Sequence, residues 1–364
     1  MKKKICLVGG EDVDKRIPLS KYLISADFDV TIVGTSPKQF PDNVTYIHYN
    51  LKRHFSFSAD YKTITWLRDF FKNNHFDIIH TFDTKPAFLV PIALLKTKTP
   101  ISRTITGLGT IFMSNSFKSM LLRNVYIILH KRVKNRVVKT VFQNEDDKNL
   151  YLKNNLINKE NHALIYSSGI ELDHYKSIAK RNNNPFTFIC VARLVYEKGI
   201  VNLLEAARIC HDKGYQFKYL LVGPLEENSK RLNKSILESY RDIVDILGPR
   251  HDIPELLLQS DCFVLPTFRE GFSRVLLEAG AVGLPIVSTN VTGVREFARH
   301  EKEGLLVEPK NSQELSDMMI KIATNKDLAD KLAKNALKHV EKFSLQNVAK
   351  QYITIFNAAI NRSI

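Results

Sequence analysis

Short apolar runs alternate with longer amphipathic stretches along most of the chain. In the first half the apolar runs predict the strands KICLVGG, DVTIVG, VTYIHY, FDIIHTF, ISRTITG and TVFQN. The helices predicted between them are residues 17–26, TITWLRDFFKNN, PAFLVPIALLKT and the long segment 117–139. In the second half the predicted strands are FTFICVA, FKYLLVG, VDILG, CFVLP and PIVST, and the predicted helices are 199–213, 227–240, 253–259 and 274–282. This alternation is typical of parallel sheets with helices on both faces.

The alternation is interrupted once, by the polar, Asn-rich stretch KSIAKRNNNP at 176–185. A chain of 364 residues is also too long for one ordinary core. We therefore predict an α/β protein with two Rossmann-like domains, residues 1–178 and 185–344, that face each other across a cleft. Residues 345–364 read as an amphipathic helix with no strand after it, and we expect this helix to pack back on the N-terminal domain.

The stretch FREGFSRVLLEAG holds two carboxylates on either side of a predicted helix start, Glu270 and Glu278. Ser273 is a suitable N-cap for a helix that begins at Arg274. The backbone N–H groups of Arg274 and Val275 would then be unpaired donors at the positive end of the helix dipole. Because helical side chains lean toward the N-terminus, the Glu278 carboxylate can reach the same point. In a doubly wound sheet, ligands bind at the carboxyl ends of the strands, and this loop follows the carboxyl end of the predicted strand CFVLP.

Two cations are predicted near another strand end of the same domain. Arg193 follows FTFICVA directly, and Lys198 stands just before the next predicted helix. Arg offers phosphate oxygens a planar fork of donors, and Lys offers a point charge. Two carboxylates for sugar hydroxyls and two cations for a diphosphate are the groups that a sugar-diphosphate-nucleoside needs. The second domain is therefore predicted to bind a nucleotide sugar.

These stretches together resemble the retaining glycosyltransferases of the GT-B fold, specifically glycosyltransferase family 4, whose Glu-x7-Glu motif matches Glu270 and Glu278. The resemblance covers the C-terminal half, through VGPLEEN, LGPRHDI, SDCFVLPTFREGFSRVLLEAGAVGLPIVSTNVTGVREFA and EGLLVEP. It implies that Arg193 and Lys198 bind the donor diphosphate. It also implies that Glu270 holds the sugar hydroxyls and supports the developing oxocarbenium ion, while Glu278 binds the ribose. Further donor contacts are implied for the backbone of Gly271, Phe272 and Ser273 and for the base-side stretch Gly248 to His251, which includes Arg250. Ser273 stands where Pro is more usual.

The N-terminal half resembles the bacterial branch that builds surface polysaccharides and lipid-linked oligosaccharides, through HTFDTKP, RTITGLGTIF, VFQNEDD and SSGIELDHY. The resemblance implies transfer of a hexose or N-acetylhexosamine, with UDP as the expected nucleotide, to a lipid-linked or polysaccharide acceptor through an α-linkage. Many members carry a His where Thr106 precedes Gly107. The other candidates on the N-terminal side of the cleft are Gly9, Gly10, His80 and Lys85.

We expect no metal and no cofactor besides the nucleotide sugar. The four Cys and eleven His show no ligand spacing, and the D-x-D of Asp12 and Asp14 directly follows the first strand, where it is wrongly placed for a metal site. The apolar stretch after MKKK is too short for a signal peptide, and no segment approaches the roughly 20 apolar residues of a membrane span. We therefore expect a cytoplasmic protein.

The net charge of +15 is uneven, with +12 in residues 1–180 and +3 in residues 181–364. The segment 117–139 holds seven Lys or Arg and no Asp or Glu, interleaved with apolar residues. Such a basic amphipathic helix can lie on an anionic membrane, so we expect peripheral contact with the inner face of the cytoplasmic membrane. The ordinary alternative is a domain helix that packs on the sheet.

Two alternative functions also fit parts of the sequence. Another GT-B enzyme, such as a sugar-nucleotide epimerase or a phosphorylase, would share the fold. A basic nucleic-acid-binding protein would fit the pI near 9.5, but the chain lacks a basic–aromatic reading motif. We therefore expect no nucleic-acid partner.

Overall fold

The computed structural model describes residues 2–36, 39–52, 54–108, 112, 116–175, 183–226 and 231–361. The chain forms two compact units, one of residues 1–166 with 345–364 and one of residues 167–344. The change of unit between Tyr166 and Ser167 comes earlier than the predicted boundary at 178. Residues 176–182 of the predicted linker lie outside the described residues.

The first unit is built on a seven-stranded sheet in which all neighbouring strands are parallel. Its strands are β1 (Lys3–Val8), β2 (Phe28–Gly34), β3 (Thr45–His48), β4 (Ile78–Thr81), β5 (Ile101–Ile105), β6 (Val137–Phe142) and β7 (His162–Leu164), in the order β3-β2-β1-β4-β5-β6-β7. Its helices are α1 (Ile17–Ser25), α2 (Phe57–Asn73), α3 (Pro86–Ala93), α4 (Phe117–Val133), α5 (Glu145–Lys153) and, from the end of the chain, α12 (Leu345–Asn361).

Helices cover both faces of this sheet. On one face α12 completes the core, where Tyr352 and Phe356 pack with Ile5, Leu7 and Phe28. On the other face α2, α3 and α4 pack over β1 and β4 in a second apolar cluster. Because its inner strands are buried on both sides, they read as nearly continuous apolar runs, which is why they could be predicted.

Three elements of this unit differ from the prediction. Helix α4 ends at Val133, and residues 134–136 form a short 3-10 turn before β6 begins at Val137. Lys134, Arg136 and Lys139 of the predicted basic helix therefore do not lie on it. Helix α5 and strand β7 were not predicted. No helix in the described ranges is long and apolar enough to cross a membrane.

The second unit is built on a six-stranded sheet, again with parallel neighbours only. Its strands are β8 (Thr187–Val191), β9 (Lys218–Val222), β10 (Asp245–Gly248), β11 (Cys262–Leu265), β12 (Ile286–Thr289) and β13 (Gly304–Val307), in the order β10-β9-β8-β11-β12-β13. Its helices are α6 (Ile200–Asp212), α7 (Lys234–Glu238), α8 (Ile253–Leu258), α9 (Arg274–Ala281), α10 (Ser312–Thr324) and α11 (Lys326–Val340). Residues 227–230 of the predicted helix 227–240 lie outside the described ranges, and the described remainder forms only the short α7.

The strand order of the second unit creates a switch point between β8 and β11. From β8 the chain moves to β9 on one side, and from β11 it moves to β12 on the other. The loops that leave these two strands diverge at their carboxyl ends, where doubly wound sheets bind ligands. Those loops carry Lys198 and Glu270. Two parallel sheets with helices on their faces confirm the predicted fold class.

Candidate functional site

A cation and a carboxylate from the two switch-point loops meet in an ion pair. Lys198 Nζ lies 2.5 Å from Glu270 Oε1, and their side chains are 20% and 11% exposed. Screening by salt is weaker for such a partly buried pair than for charges on the open surface. The structure thus brings together two residues that stand 72 positions apart in sequence.

The loop that carries Lys198 is fixed against the loop after β11. The 3-10 turn Tyr196–Lys198 ends at Gly199, whose φ is +69°. A Cβ at Gly199 would lie 1.9 Å from the carbonyl oxygen of Pro266, so only glycine fits there. The backbone N–H of Phe268 also donates to the Glu197 carbonyl over 2.9 Å. These contacts set the position from which Lys198 reaches Glu270.

Helix α9 begins at Arg274, as predicted, and places Glu278 one turn into the helix. Ser273 occupies the N-cap position and is buried, but within the described part of the chain its side chain makes no capping hydrogen bond. Arg274 Nε donates to Glu278 Oε1 over 3.2 Å. Burial raises the pKa of Tyr175, and the neighbouring Glu278 carboxylate raises it further. Sequence reasoning gave no role to Tyr175, which therefore emerges here as a neighbour of Glu278.

The other residues predicted to contact the donor lie in the loop between β11 and α9, residues 266–273, which we name the donor loop, or in the first turn of α9. Gly271 and Val275 are half-buried. The ring of Phe272 packs against Phe343, with centroids 5.5 Å apart. The Phe272 side chain therefore packs within the unit. This agrees with the resemblance, which implies that residues 271–273 contact the sugar through their backbone.

Arg193 and Lys198 have different partners, although they were predicted to act together. The Arg193 guanidinium pairs with the Glu226 carboxylate, and both side chains are about half exposed. The backbone N–H of Leu194 donates to the Pro224 carbonyl over 2.8 Å, which keeps the two loops side by side. Glu226, to which sequence reasoning gave no role, is therefore the carboxylate with which a diphosphate would compete for Arg193.

The predicted base-side residues lie on the exposed loop after β10. Arg250 makes a two-pronged contact with Asp252, through Nε–Oδ1 at 2.8 Å and Nη2–Oδ2 at 2.5 Å. This contact holds the pKa of the Asp252 carboxyl below its usual value. His251 is exposed beside it. The Gly248 carbonyl accepts from the Gly223 N–H over 2.8 Å, so this loop adjoins the one that carries Glu226.

His80 lies in the core of the first unit, which corrects its place among the substrate-facing candidates. Its side chain is fully buried, with Nδ1 2.7 Å from Ser102 Oγ and Nε2 2.9 Å from Thr104 Oγ1. Burial, helped by Arg16, lowers the pKa of His80 to about 3. A neutral imidazole with both nitrogens bonded serves to hold β4 against β5.

Lys85 also has a structural place, since its ammonium group has three acceptors. These are the carbonyls of Lys52 at 2.8 Å and His54 at 3.0 Å and the carboxylate of Asp60. One ammonium group has three hydrogens to donate. Lys85 therefore ties the loop before α2 to the start of α3 and has no hydrogen left for a substrate.

The loop after β1 is held by side chains of its own unit. The Tyr49 hydroxyl donates to the Gly9 carbonyl over 3.0 Å, and the Gly10 N–H donates to Asp83 Oδ2 over 2.9 Å. Thr106 and Gly107 follow β5 and are half-buried, with a φ of +146° at Gly107. Residues 109–111, next in that predicted motif, lie outside the described residues.

Two family models match consecutive parts of the chain. The model described as Glycosyltransferase Family 4 matches residues 18–171, and the one described as Glycosyl transferases group 1 matches residues 173–339. The chain belongs to glycosyltransferase family 4. This membership supports glycosyltransferase activity.

Curated relatives and solved structures agree with this assignment. The chain is 29% identical over 316 residues, 82% of its length and 81% of the relative's, to an N,N'-diacetylbacillosaminyl-diphospho-undecaprenol alpha-1,3-N-acetylgalactosaminyltransferase from Campylobacter jejuni. It is 25% identical over 335 residues, 86% of its length and 85% of the relative's, to a UDP-Gal:alpha-D-GlcNAc-diphosphoundecaprenol alpha-1,3-galactosyltransferase from Escherichia coli. Sucrose-phosphate synthase from Thermosynechococcus elongatus superposes with a TM-score of 0.84 at 19% identity, over 99% of this chain and 100% of that one. The shared fold is GT-B.

Proposed function

We propose that this protein transfers a hexose or N-acetylhexosamine from a UDP-sugar to a lipid-linked or polysaccharide acceptor in bacterial surface-glycan synthesis, with retention and an α-linkage. The observation that carries the proposal is the Lys198–Glu270 pair at the switch point of the second sheet, beside the start of α9. The names of the two transferase relatives give α-1,3 linkages and undecaprenol-diphosphate acceptors, and one of them gives UDP-Gal as donor. These names support the donor and acceptor classes.

The site offers a group of opposite charge to each of the two charges that develop on the donor during transfer. When the bond from the anomeric carbon to the diphosphate breaks, negative charge builds on the leaving oxygen and positive charge on the sugar ring. The Lys198 ammonium, fixed by Gly199, stabilises the first, and the Glu270 carboxylate stabilises the second and accepts from sugar hydroxyls. The N–H groups at the start of α9 add donors for phosphate oxygens.

We also propose that the transfer needs no metal ion. Three positive groups are available to the diphosphate. They are the Lys198 ammonium, the N–H groups at the start of α9 and the Arg193 guanidinium, for which the diphosphate competes with Glu226. The cations of the chain would therefore balance the charge of the leaving group.

The outer face of α4 supports peripheral contact with an anionic membrane. The helix is buried through Tyr126, His130 and Val133, and on the opposite side it exposes large apolar side chains. These are Phe117 at 77%, Met120 at 50%, Leu121 at 56% and Ile128 at 63% exposure. At about 100° per residue the four lie in one stripe. An apolar stripe of this kind on the solvent side supports the proposal of an interaction surface.

The charges around this stripe favour anionic lipid as its partner. Lys118, Lys131 and Arg132 are exposed on α4, and the helix carries no Asp or Glu. Basic residues beside apolar ones are suited to a bilayer with anionic headgroups. Arg136 is not part of this surface, because its guanidinium donates to the Leu94 carbonyl over 2.9 Å and to the Thr99 carbonyl over 2.5 Å.

The proposal is tested by nucleotide binding followed by product analysis, both in buffer with a metal chelator. Among UDP, GDP, ADP, TDP and their sugar conjugates, a UDP-sugar should raise the melting temperature most. Transfer to a polyprenyl-diphosphate-sugar acceptor should yield an α-anomer by NMR. Glu270→Ala should bind UDP but lose transfer, whereas Glu255→Ala, on the exposed face of α8, should keep both. A β-linked product, or activity that requires added metal, would contradict the corresponding part of the proposal.

A further inference from the structure

The loop between β12 and β13 holds the backbone of the donor loop through two hydrogen bonds. The Glu270 N–H donates to the Thr292 carbonyl over 2.9 Å, and the Ser273 N–H donates to the Gly293 carbonyl over 3.0 Å. The two carbonyls are adjacent in sequence, and the two N–H groups bracket the residues assigned to the sugar. The residues 291–296, which we name the clamp loop, therefore set where the Glu270 backbone lies.

The clamp loop approaches Glu270 too closely for any side chain at its tip. Gly293 has a φ of +82°, and a Cβ added there would lie 2.4 Å from the Glu270 Cβ and 2.5 Å from its carbonyl oxygen. Real Cβ atoms do not come this near to another residue, so a larger residue at 293 would push Glu270 away. The position of Glu270 thus depends on the exact course of the clamp loop.

That course is fixed from within by Glu296. Its Oε2 accepts the Gly293 N–H over 2.6 Å, which closes the turn whose carbonyls hold the donor loop. The Val294 N–H donates to the Val291 carbonyl over 3.1 Å and shapes the same turn. A carboxylate that accepts a backbone N–H forms a stronger hydrogen bond than a neutral acceptor does. Glu296 is half-buried, which protects the bond from solvent.

We propose that Glu296 is a positioning residue for Glu270 in the transfer reaction. It acts through the Gly293 backbone and does not itself touch the donor. This inference rests on the proposed function, since it takes Glu270 as the carboxylate at the reacting sugar. Misplacement of a reacting group by about 1 Å can cost about 100-fold in rate. Loosening the clamp loop should therefore slow the chemical step and leave the diphosphate contacts of Lys198 in place.

The test compares Glu296→Ala with Glu296→Gln, using the UDP-sugar that the wild-type protein turns over. The Ala variant loses the acceptor, and its kcat should fall about 10- to 100-fold, with Kd for UDP unchanged within about threefold. The Gln variant keeps a carbonyl oxygen that can accept the Gly293 N–H, so its kcat should recover most of the loss. Glu255→Ala is the matched control, because it also removes a carboxylate from the second unit but lies on α8. Gly293→Ala, which leaves Glu296 intact, should lower kcat at least as far as Glu296→Ala.

Each outcome separates this inference from the proposed function. A Glu296→Ala variant with wild-type kcat would overturn the positioning role alone. Equal losses in the Ala and Gln variants would overturn the hydrogen bond as its cause, and a parallel loss of UDP affinity would indicate general damage to the unit instead. A wild-type protein that turns over no UDP-sugar, yet transfers sugar from another nucleotide, would overturn the UDP donor alone, and the same variants compared with that donor would decide the positioning role.

Discussion

Replacing Lys198 by Ala should weaken the binding of UDP by removing the cation that we place at the diphosphate. Lys198 Nζ lies 2.5 Å from Glu270 Oε1. The substitution therefore has two effects. It removes a charge-assisted contact to phosphate, and it leaves the Glu270 carboxylate, which is only 11% exposed, without its partner. An uncompensated carboxylate would repel the diphosphate as well, so both effects lower the affinity.

The size of the loss follows from the kind of contact. A hydrogen bond to a charged group contributes about 1.5–3 kcal/mol. At about 1.4 kcal/mol per factor of ten, this predicts a Kd for UDP raised about 10- to 150-fold. The double variant Lys198→Ala/Glu270→Ala should bind UDP better than Lys198→Ala alone, because the unpaired carboxylate is gone. This recovery measures the repulsive part separately.

Isothermal titration of UDP into each variant, with a metal chelator present, provides the measurement. Lys213→Ala is the matched control, since Lys213 also pairs with a carboxylate, Asp317 at 2.7 Å, but on the exposed surface away from the switch point. It should bind UDP like the wild type. A Lys198→Ala Kd within twofold of the wild-type value would refute the placement of Lys198 at the diphosphate. A double variant no better than the single one would refute the repulsion.

Two further predictions concern the first unit. Replacing Phe117, Met120 and Leu121 with Ser should lower partitioning to phosphatidylglycerol vesicles at least tenfold, because burying each large apolar side chain contributes about 1.5–3 kcal/mol. The control is Leu247→Ser, which changes an exposed apolar residue of the second unit. If the triple variant sediments with vesicles as the wild type does, the proposed membrane contact of α4 is wrong. Burial lowers the pKa of His80 to about 3, so the unfolded chain binds the extra proton below about pH 6.5 and stability falls as the pH drops from there toward 3. Urea unfolding can be followed by fluorescence of the single Trp, which lies in this unit on α2. Through His80 the free energy of unfolding should fall by about 1.4 kcal/mol for each pH unit below about 6.5. His80→Gln should flatten this pH dependence, and an equal pH dependence in both proteins would show that His80 does not cause it.

The parts of the donor site that sequence could predict are those written in short stretches. Glu270, the start of α9 and Glu278 follow one another within nine residues, so helix capping and periodicity place them together. Most of the strands, among them β1, β4, β8 and β11, were predicted because they are buried on both faces and read as apolar runs, whereas β7 and β13 were not predicted. Lys198 meets Glu270 because β8 and β11 are neighbours in the sheet. The alternation of strands and helices predicts a parallel sheet, but it does not fix which strands are neighbours.

Residues that depend on pairing between distant loops could not be predicted. Glu226 as the partner of Arg193, and Thr292 and Gly293 as the hold on Glu270, follow from how separate loops leave the sheet. His80 shows the same limit. It stands at a strand end, as a site residue would, but Tyr352 of α12 bonds to Thr104 over 2.9 Å and closes this region from the far end of the chain.

The basic excess of the first half is a weaker guide to its partner than the face composition of α4. Several of its cations are bound inside the fold: Arg103 is fully buried among the Ala87 and Leu156 carbonyls, and Arg136 is held by the loop before β5. These charges would be present whether or not the protein met an anionic surface. The α4 face differs because its exposed cations adjoin a contiguous stripe of exposed apolar side chains, and such a stripe is typical of a surface that contacts a partner or a membrane. That juxtaposition, rather than the net charge, is why a bilayer is the proposed partner and why the vesicle experiment changes the apolar residues rather than the lysines.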